Sequence, residues 1–263
     1  MKTTTKKKII DFSIIGLVVA LFVFVAVYAK HRRDTLMLRS VRVEIRNSGD
    51  YSFVTVPEVE KVVEKCGIVV GEILCADIDT GKLKSELLKS SYIRSANCMV
   101  GYFDGVLHVD VSQFVPVARL IDADGNDYFL DENNHCVRKN NTRGYDIMVI
   151  TNHRQGLFDV LTKKSTKKSE ELEKFLTFVK YAKNDDFVNS LITQINITER
   201  GNVELVPRVG RQTVVLGRLS DLDEAPERLK KLMVYLSKGL EAGVLDKYSK
   251  IDISHGNQVV GIP

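Results

Sequence analysis

The sequence has few of the patterns that carry catalysis or bind metal ions. Its four cysteines include no CxxC pair, which disfavours a zinc ribbon and a thioredoxin-like redox site. None of its five histidines stands in HExxH, and GxSxG, GxGxxG and Walker motifs are missing. The sequence therefore predicts a protein that is not an enzyme and binds no cofactor. Its scattered thiols leave a disulfide open if the chain lies in an oxidising compartment.

An excess of charge of one sign is also missing. The chain has 38 Lys and Arg residues against 34 Asp and Glu, and both signs are mixed along its length. This balance indicates a solvated surface rather than a nucleic-acid-binding face. The one basic cluster, at Lys163, Lys164, Lys167 and Lys168, has no interleaved aromatic residues, and we interpret it as a surface loop.

One long apolar run is present, at residues 9–29, and basic residues flank it on both sides. A bilayer core of about 30 Å needs about 20 apolar residues in a helix, so the run predicts a single membrane span behind a tail at 1–8. A cleaved signal peptide is the alternative, because Val27-Tyr28-Ala29 resembles a cleavage site, but signals have shorter apolar cores. The flanking charges leave the orientation undecided.

The predicted span also contains small residues at a spacing that is used in contacts between membrane helices. Gly16 and Ala20 lie four residues apart, on one helix face. Two roles therefore stay open for this helix, a tether or a packing surface for partner helices. The residues that we assign to the anchor are Ile14, Gly16, Leu17, Ala20, Leu21 and Phe24.

The next segment predicts a small module with the order strand, helix, helix, strand, strand. Its first strand, at residues 40–46, alternates between apolar and charged side chains. Helices are predicted after Thr55 and over residues 80–90. Two helices cover one face of such a short sheet and leave an open strand edge, which can recruit other chains by strand addition.

A hairpin closes this module. Strands are predicted over residues 96–103 and 106–111, on either side of Asp104-Gly105, which is a strong two-residue turn signal.

From Pro116 onward the pattern predicts mostly strands and two helices. One helix begins at Ser169, and a longer one has Ser220 and Asp223 as its predicted cap. The predicted strands are residues 117–121, 128–130, 191–198, 203–206, 213–216, 250–254 and 258–260.

An acidic stretch at residues 122–127 raises the possibility of a calcium site. An EF-hand loop needs glycine at its sixth position and glutamate at its twelfth, whereas Gly125 is fourth and Asn133 is twelfth. A plain hairpin loop fits better.

Several short motifs follow one another along the chain. They are residues 91–96 (SYIRSA), 105–109 (GVLHV), 113–119 (QFVPVAR), 128–131 (YFLD), 216–218 (LGR) with 228–232 (RLKKL), and 248–253 (YSKIDI). In their order and spacing these motifs resemble those of the bacterial cell-division family FtsQ, also called DivIB. The resemblance covers nearly the whole chain.

The resemblance implies an α+β fold with four parts. They are a cytoplasmic tail at 1–8, a transmembrane helix at 9–29, a POTRA module at 30–115 and a larger, mostly antiparallel β domain with two helices at 116–263. The resemblance also implies an orientation, which the flanking charges do not decide. It places the body in the periplasm and the anchor in the inner membrane at the mid-cell septum.

The resemblance further implies a non-enzymatic scaffold of the division machinery. Such a protein would bind the coiled-coil membrane proteins FtsB and FtsL and help regulate septal peptidoglycan synthesis. Contacts with the DNA translocase FtsK and with the septal synthase complex are implied as well. We expect neither nucleic acid nor a small-molecule substrate as a ligand.

In this family the partners dock on the terminal strand region, so we predict a docking surface over residues 250–260. The family's usual arginine after Asp-Leu is replaced here by Ser254. Proline at Val259 or at Asp252 is predicted to weaken partner binding by removing a ladder hydrogen bond. The residues assigned to this surface are Lys250, Ile251, Asp252, Ile253, Ser254, His255, Asn257, Val259 and Val260.

Two other functions fit the sequence less well. A POTRA adaptor of outer-membrane assembly or secretion is the second candidate, but such proteins usually carry several POTRA repeats or a barrel, and the sequence shows no internal repeat. An anchored envelope enzyme is the third, and the missing catalytic constellation disfavours it.

Overall fold

A computed structural model of the chain describes residues 3–46, 51–139, 144–242, 248–256 and 258–263. Residues 3–15, 32, 33 and 240–242 are described by their backbone alone. The chain divides into two compact units, Met1–Phe114 and Val115–Pro263.

The first unit begins with a long helix, α1 (Thr3–Thr35), whose side chains from residue 16 to residue 31 are exposed. Across the described residues, no helix has both the length and the hydropathy needed to cross a bilayer. The predicted span at residues 9–29 is therefore not confirmed, and its first part, including Ile14, lacks described side chains. The other residues that were assigned to the anchor lie on α1 and are exposed: Gly16, Leu17, Ala20, Leu21 and Phe24.

A three-stranded sheet follows, and two helices pack against it. In chain order the elements are β1 (Ser40–Arg46), α2 (Val56–Lys65), α3 (Thr80–Leu87), β2 (Ile93–Gly101) and β3 (Val106–Gln113). β3 lies in the centre, parallel to β1 and antiparallel to β2. α2 packs against β1 and α3 against β2. The predicted order of strand, helix, helix, strand, strand is confirmed.

Local hydrogen bonds explain where these helices begin. The Glu58 carboxylate accepts the backbone N–H of Thr55 at 2.8 Å, ahead of α2. The carboxylate of Asp79 accepts the N–H of Lys82 at 2.8 Å, so it satisfies a donor that the first turn of α3 would otherwise leave free.

The hairpin of this module differs from its prediction. β2 ends at Gly101, so Phe103 lies in a longer turn rather than in a strand. Gly105 has φ +72°, and its N–H donates to the Gly101 carbonyl at 2.9 Å. A Cβ at this position would lie 2.9 Å from the Met37 carbonyl oxygen, so both the conformation and the space require glycine.

A buried glutamine fixes the segment before α2. Gln113 is 1% exposed, and its Oε1 accepts the N–H groups of Phe53 at 3.1 Å and Val54 at 3.2 Å. Its Nε2 donates to the carbonyl of Tyr51 at 2.5 Å. Phe53 also packs against Tyr92, with ring centroids 5.1 Å apart, so the segment is held by polar and aromatic contacts together.

We expect Gln113→Leu to lower the free energy of unfolding of the first unit by about 2 kcal/mol, because two buried N–H groups lose their shared acceptor. Urea unfolding followed by circular dichroism measures the change. Glu44→Gln, on the exposed side of β1, is the control and should change stability by less than about 0.5 kcal/mol. Equal stabilities for the two variants would contradict this role of Gln113.

The second unit contains a large mixed sheet. Its strands are β4 (Pro116–Ile121), β5 (Asp127–Asp131), β6 (Cys136–Arg138), β7 (Met148–Asn152), β8 (Ile192–Ile197), β9 (Asn202–Pro207), β10 (Thr213–Arg218), β11 (Lys250–Asp252) and β12 (Val260–Ile262). They lie in the order β12-β11-β10-β9-β8-β7-β4-β5-β6. Most neighbours are antiparallel, as predicted, but β4 and β7, β7 and β8, and β10 and β11 are parallel.

Helices cover this sheet: α4 (Glu170–Asn184), α5 (Asp186–Leu191) and α6 (Ala225–Ala242). The Ser169 hydroxyl accepts the N–H of Leu172 at 3.2 Å, so the predicted start of α4 is confirmed. Phe175 on α4 is fully buried and packs on Phe158, with ring centroids 5.6 Å apart.

The predicted cap of the last helix is wrong. Leu219–Glu224 forms a 3-10 helix, and α6 begins only at Ala225. Leu229 and Leu232 lie on the buried side of α6, whereas the neighbouring Met233 is exposed.

The acidic stretch is a hairpin loop between β4 and β5. The Asp122 carboxylate accepts the N–H of Asp124 at 3.0 Å and the N–H of Asn126 at 2.8 Å. Burial would raise the pKa of Asp122, but hydrogen bonds from Asn126 and Lys164 lower it below its usual value. Donors and an ammonium group thus occupy the places that a calcium ion would need, and the described residues contain no cluster of three metal-ligating side chains.

Candidate partner-binding surface

The residues predicted to bind partners lie on two short strands and the connection between them. The predicted strands over residues 250–254 and 258–260 are wrong at their ends, because β11 stops at Asp252 and β12 begins at Val260. β11 is an inner strand, parallel to β10 and antiparallel to β12. Among the described strands, the free edge at this side of the sheet therefore belongs to β12.

β11 is anchored to the rest of the sheet. Ile251 and Ile253 are 2% and 0% exposed and belong to the main core cluster. The Ile253 N–H donates to the carbonyl of Val215 at 3.0 Å, and the Lys250 ammonium lies 3.1 Å from the Glu204 carboxylate. Ile251 and Ile253 therefore support the surface from below, since their side chains face the core.

Polar contacts hold the connection after β11. The Asp252 carboxylate accepts the N–H of Ser254 at 2.8 Å, and its other oxygen lies 3.7 Å from Nε2 of His255. The Lys231 ammonium on α6 donates to the carbonyl of Gly256. His255 is exposed and available to a partner, whereas Asn257 lies outside the described residues.

β12 combines exposed apolar side chains with a glycine. Val260 and Ile262 are each 40% exposed. The Ile262 carbonyl accepts the N–H of Ser249 at 2.8 Å, so Ile262 faces β11, and the alternation of an antiparallel ladder directs the N–H and C=O of Gly261 to the free side. A Cβ on Gly261 would lie 2.6 Å from the Tyr248 ring, so only glycine fits against this ring.

A buried arginine on α6 stabilises β10 next to the segment that connects β11 and β12. Arg228 on α6 is 6% exposed and donates from Nη1 to the carbonyl of Leu216 at 3.0 Å. Gly217 has φ +135° at an irregularity of the ladder, and a Cβ there would collide with Nη1 of Arg228 and lie 3.6 Å from Cβ of Ser254. Gly217 and Arg228 thus determine how closely α6 approaches β10 near Ser254.

Sequence reasoning missed Tyr248, Gly261 and Ile262 as parts of this surface. The alternating Val260-Gly261-Ile262 was the available signal, but glycine weakens a strand pattern and the run is only three residues long.

The thiols offer no nucleophile. All four cysteines are free. Burial, with a contribution from Asp131, raises the pKa of Cys136 to about 12, and burial also raises the pKa of Cys66, Cys75 and Cys98. Thiols with raised pKa values stay protonated and unreactive at neutral pH.

Comparison with known protein families gives two matches. Residues 115–262 match the family described as FtsQ/DivIB, C-terminal related, which covers the second unit and more than half of the chain. Residues 38–112 match the POTRA-like domain, which covers the three-stranded module. None of the individually curated proteins compared with the chain matches it.

Proposed function

Because this chain belongs to the FtsQ/DivIB, C-terminal related family and carries a POTRA-like domain, we propose that it is a non-enzymatic scaffold of the bacterial division machinery. Its partners are the membrane-anchored coiled-coil proteins FtsB and FtsL, and through them it helps regulate septal peptidoglycan synthesis. The apolar run at residues 9–29 anchors it in the inner membrane, with the tail in the cytoplasm and the body in the periplasm at the septum.

The observation that carries this proposal is the free edge of β12. The outward N–H and C=O of Gly261 can pair with one extended partner strand, which would continue the sheet beyond β12. Val260 and Ile262 offer apolar contact to that strand, and His255 adds a polar contact beside it. Backbone pairing gives affinity, and the side chains give specificity.

The structure sharpens the proline test of this surface. Asp252 pairs with Val215 on one side and Val260 on the other, so proline there would disrupt the sheet itself. Val259 lies immediately before β12, and a partner strand that extends the alternation of β12 by one residue would use its N–H as a donor. We therefore expect Val259→Pro to weaken the binding of FtsB by about tenfold, the loss of one hydrogen bond of about 1.4 kcal/mol.

Val259→Ala is the matched control, because it shortens the same side chain and keeps the N–H. Isothermal titration with the soluble domains of FtsB and FtsL measures both variants, and circular dichroism verifies that both are folded. Equal binding by Val259→Pro and Val259→Ala would count against strand addition at β12.

In cells, a fluorescent fusion that spreads evenly around the envelope, instead of collecting at mid-cell, would count against the division role.

A further inference from the structure

At one end of the POTRA-like sheet, the hairpin turn between β2 and β3 lies close to the segment that follows α1. β1 and β3 are parallel and begin as partners, with Ser40 opposite Val106, so the turn before β3 lies at the end where β1 starts. The Arg39 N–H donates to the carbonyl of Gly105 at 2.8 Å and joins this turn to the chain between α1 and β1. The hairpin turn therefore lies beside the segment through which α1 enters the module.

The turn carries the most exposed large apolar side chain among the described residues. Phe103 is 89% exposed. Met37 and Val70 are also exposed at this end, and the neighbouring Gly71 donates its N–H to the carbonyl of Leu38 at 2.8 Å. A single exposed apolar residue is ordinary. Three of them around the entry of α1 form an apolar rim, which we define as Met37, Val70 and Phe103.

Basic residues accompany this rim. The sequence places Lys30, Arg32 and Arg33 in the last turns of α1, and Arg39 follows before β1. Lys and Arg residues close to an anionic bilayer are attracted to its surface. Acidic residues lie at this end as well: Asp34 in the last turn of α1, Glu72 beside Gly71, and Asp104 in the turn, whose carboxylate accepts the N–H of Val106 at 3.1 Å. The four basic residues outnumber these three.

We propose that the turn between β2 and β3 is a second membrane contact, which places Phe103 in the headgroup region of an anionic bilayer beside α1. Aromatic side chains favour this region because it accepts an apolar ring at a polar boundary. The inference rests on the proposed function, since residues 9–29 must lie in the membrane. A contact at the turn, together with α1, would hold the module at two points and limit its tilt relative to the bilayer.

The chain contains no tryptophan, so a single substitution gives a unique fluorescent reporter. The full-length Phe103→Trp protein is reconstituted into phosphatidylglycerol-rich vesicles with brominated acyl chains. We expect its emission to shift to shorter wavelength and to lose most of its intensity relative to vesicles without bromine. Phe103 is exposed, so the larger ring can be accommodated without a change in packing.

Ser95→Trp is the matched control. Ser95 is exposed on β2 near the opposite end of the sheet, about 20 Å along the strand from Gly101. Its tryptophan should show no bromine quenching. If the Phe103→Trp protein floats with the vesicles but is quenched no more than the control, this inference is overturned and the proposed scaffold stands. If the chain does not float with the vesicles, the membrane anchoring in the proposed function is overturned, and the inference with it.

Discussion

Replacing Arg228 with alanine should lower the free energy of unfolding of the second unit by about 3 kcal/mol. The guanidinium is buried, and Nη1 donates to the Leu216 carbonyl at 3.0 Å. Truncation would leave that carbonyl without a donor and open a cavity between α6 and β10. The ion pair to Glu224, at 2.8 Å, contributes little because the Glu224 side chain is mostly exposed.

Arg228→Met distinguishes the loss of the hydrogen bond to Leu216 from the loss of packing volume between α6 and β10. Methionine fills much of the same volume but cannot donate to the Leu216 carbonyl. It also removes the Nε of Arg228, which has no hydrogen-bond partner among the described residues. A buried charge with an unsatisfied donor is costly, so we expect Arg228→Met to lose only about 1 kcal/mol.

Thermal and urea unfolding by circular dichroism measure both Arg228 variants. Lys230→Ala on the same helix is the control, because its ion pair with Glu227 is at the surface and is worth less than about 1 kcal/mol. If Arg228→Ala were as stable as Lys230→Ala, the bracing of β10 by Arg228 would be refuted.

The elements that the sequence predicted well have a strong local pattern. β1 alternates along its whole length, and β9 and β10 alternate over their first four residues. α4 has a serine cap, an acidic first turn and a regular apolar stripe. β6, β7, α5 and β12 were missed or misplaced because each is three to six residues long, too short for a period to show. The start of α6 was missed because a 3-10 helix precedes it and shares its polar residues.

The position of β11 inside the sheet could not be predicted from local pattern. Its neighbour β10 is separated from it by the whole of α6, and their parallel pairing is decided by packing of that helix on the sheet. The same holds for Arg228 and Leu216, which are twelve residues apart and meet only when α6 folds back. The resemblance to a known family suggested the region of the proposed binding surface, and the structure shows that β12 is the outermost described strand there.

Gly261→Val should weaken the binding of FtsB by about 100-fold, which corresponds to about 2.7 kcal/mol. A Cβ at this position would lie 2.6 to 2.7 Å from three carbons of the Tyr248 ring, closer than any real contact. β12 must therefore move away from β11 or the ring must turn, and overpacking of this kind costs about 1–3 kcal/mol. Either response displaces the edge on which the proposed strand addition depends, while Ile251 and Ile253 keep β11 in the core.

Gly256→Val is the matched control for this prediction, because nothing lies within 4 Å of a Cβ at Gly256. Titration with FtsB measures binding. Urea unfolding should show Gly256→Val within about 1 kcal/mol of the original chain, and Gly261→Val destabilised by about 1–3 kcal/mol but still folded. Adding Tyr248→Ala to Gly261→Val removes the obstructing ring and should recover part of the affinity. A variant that bound weakly only because it lost a side-chain contact would not recover in this way. Full affinity in Gly261→Val would mean that the partner does not use β12, and that the docking surface lies elsewhere on the chain.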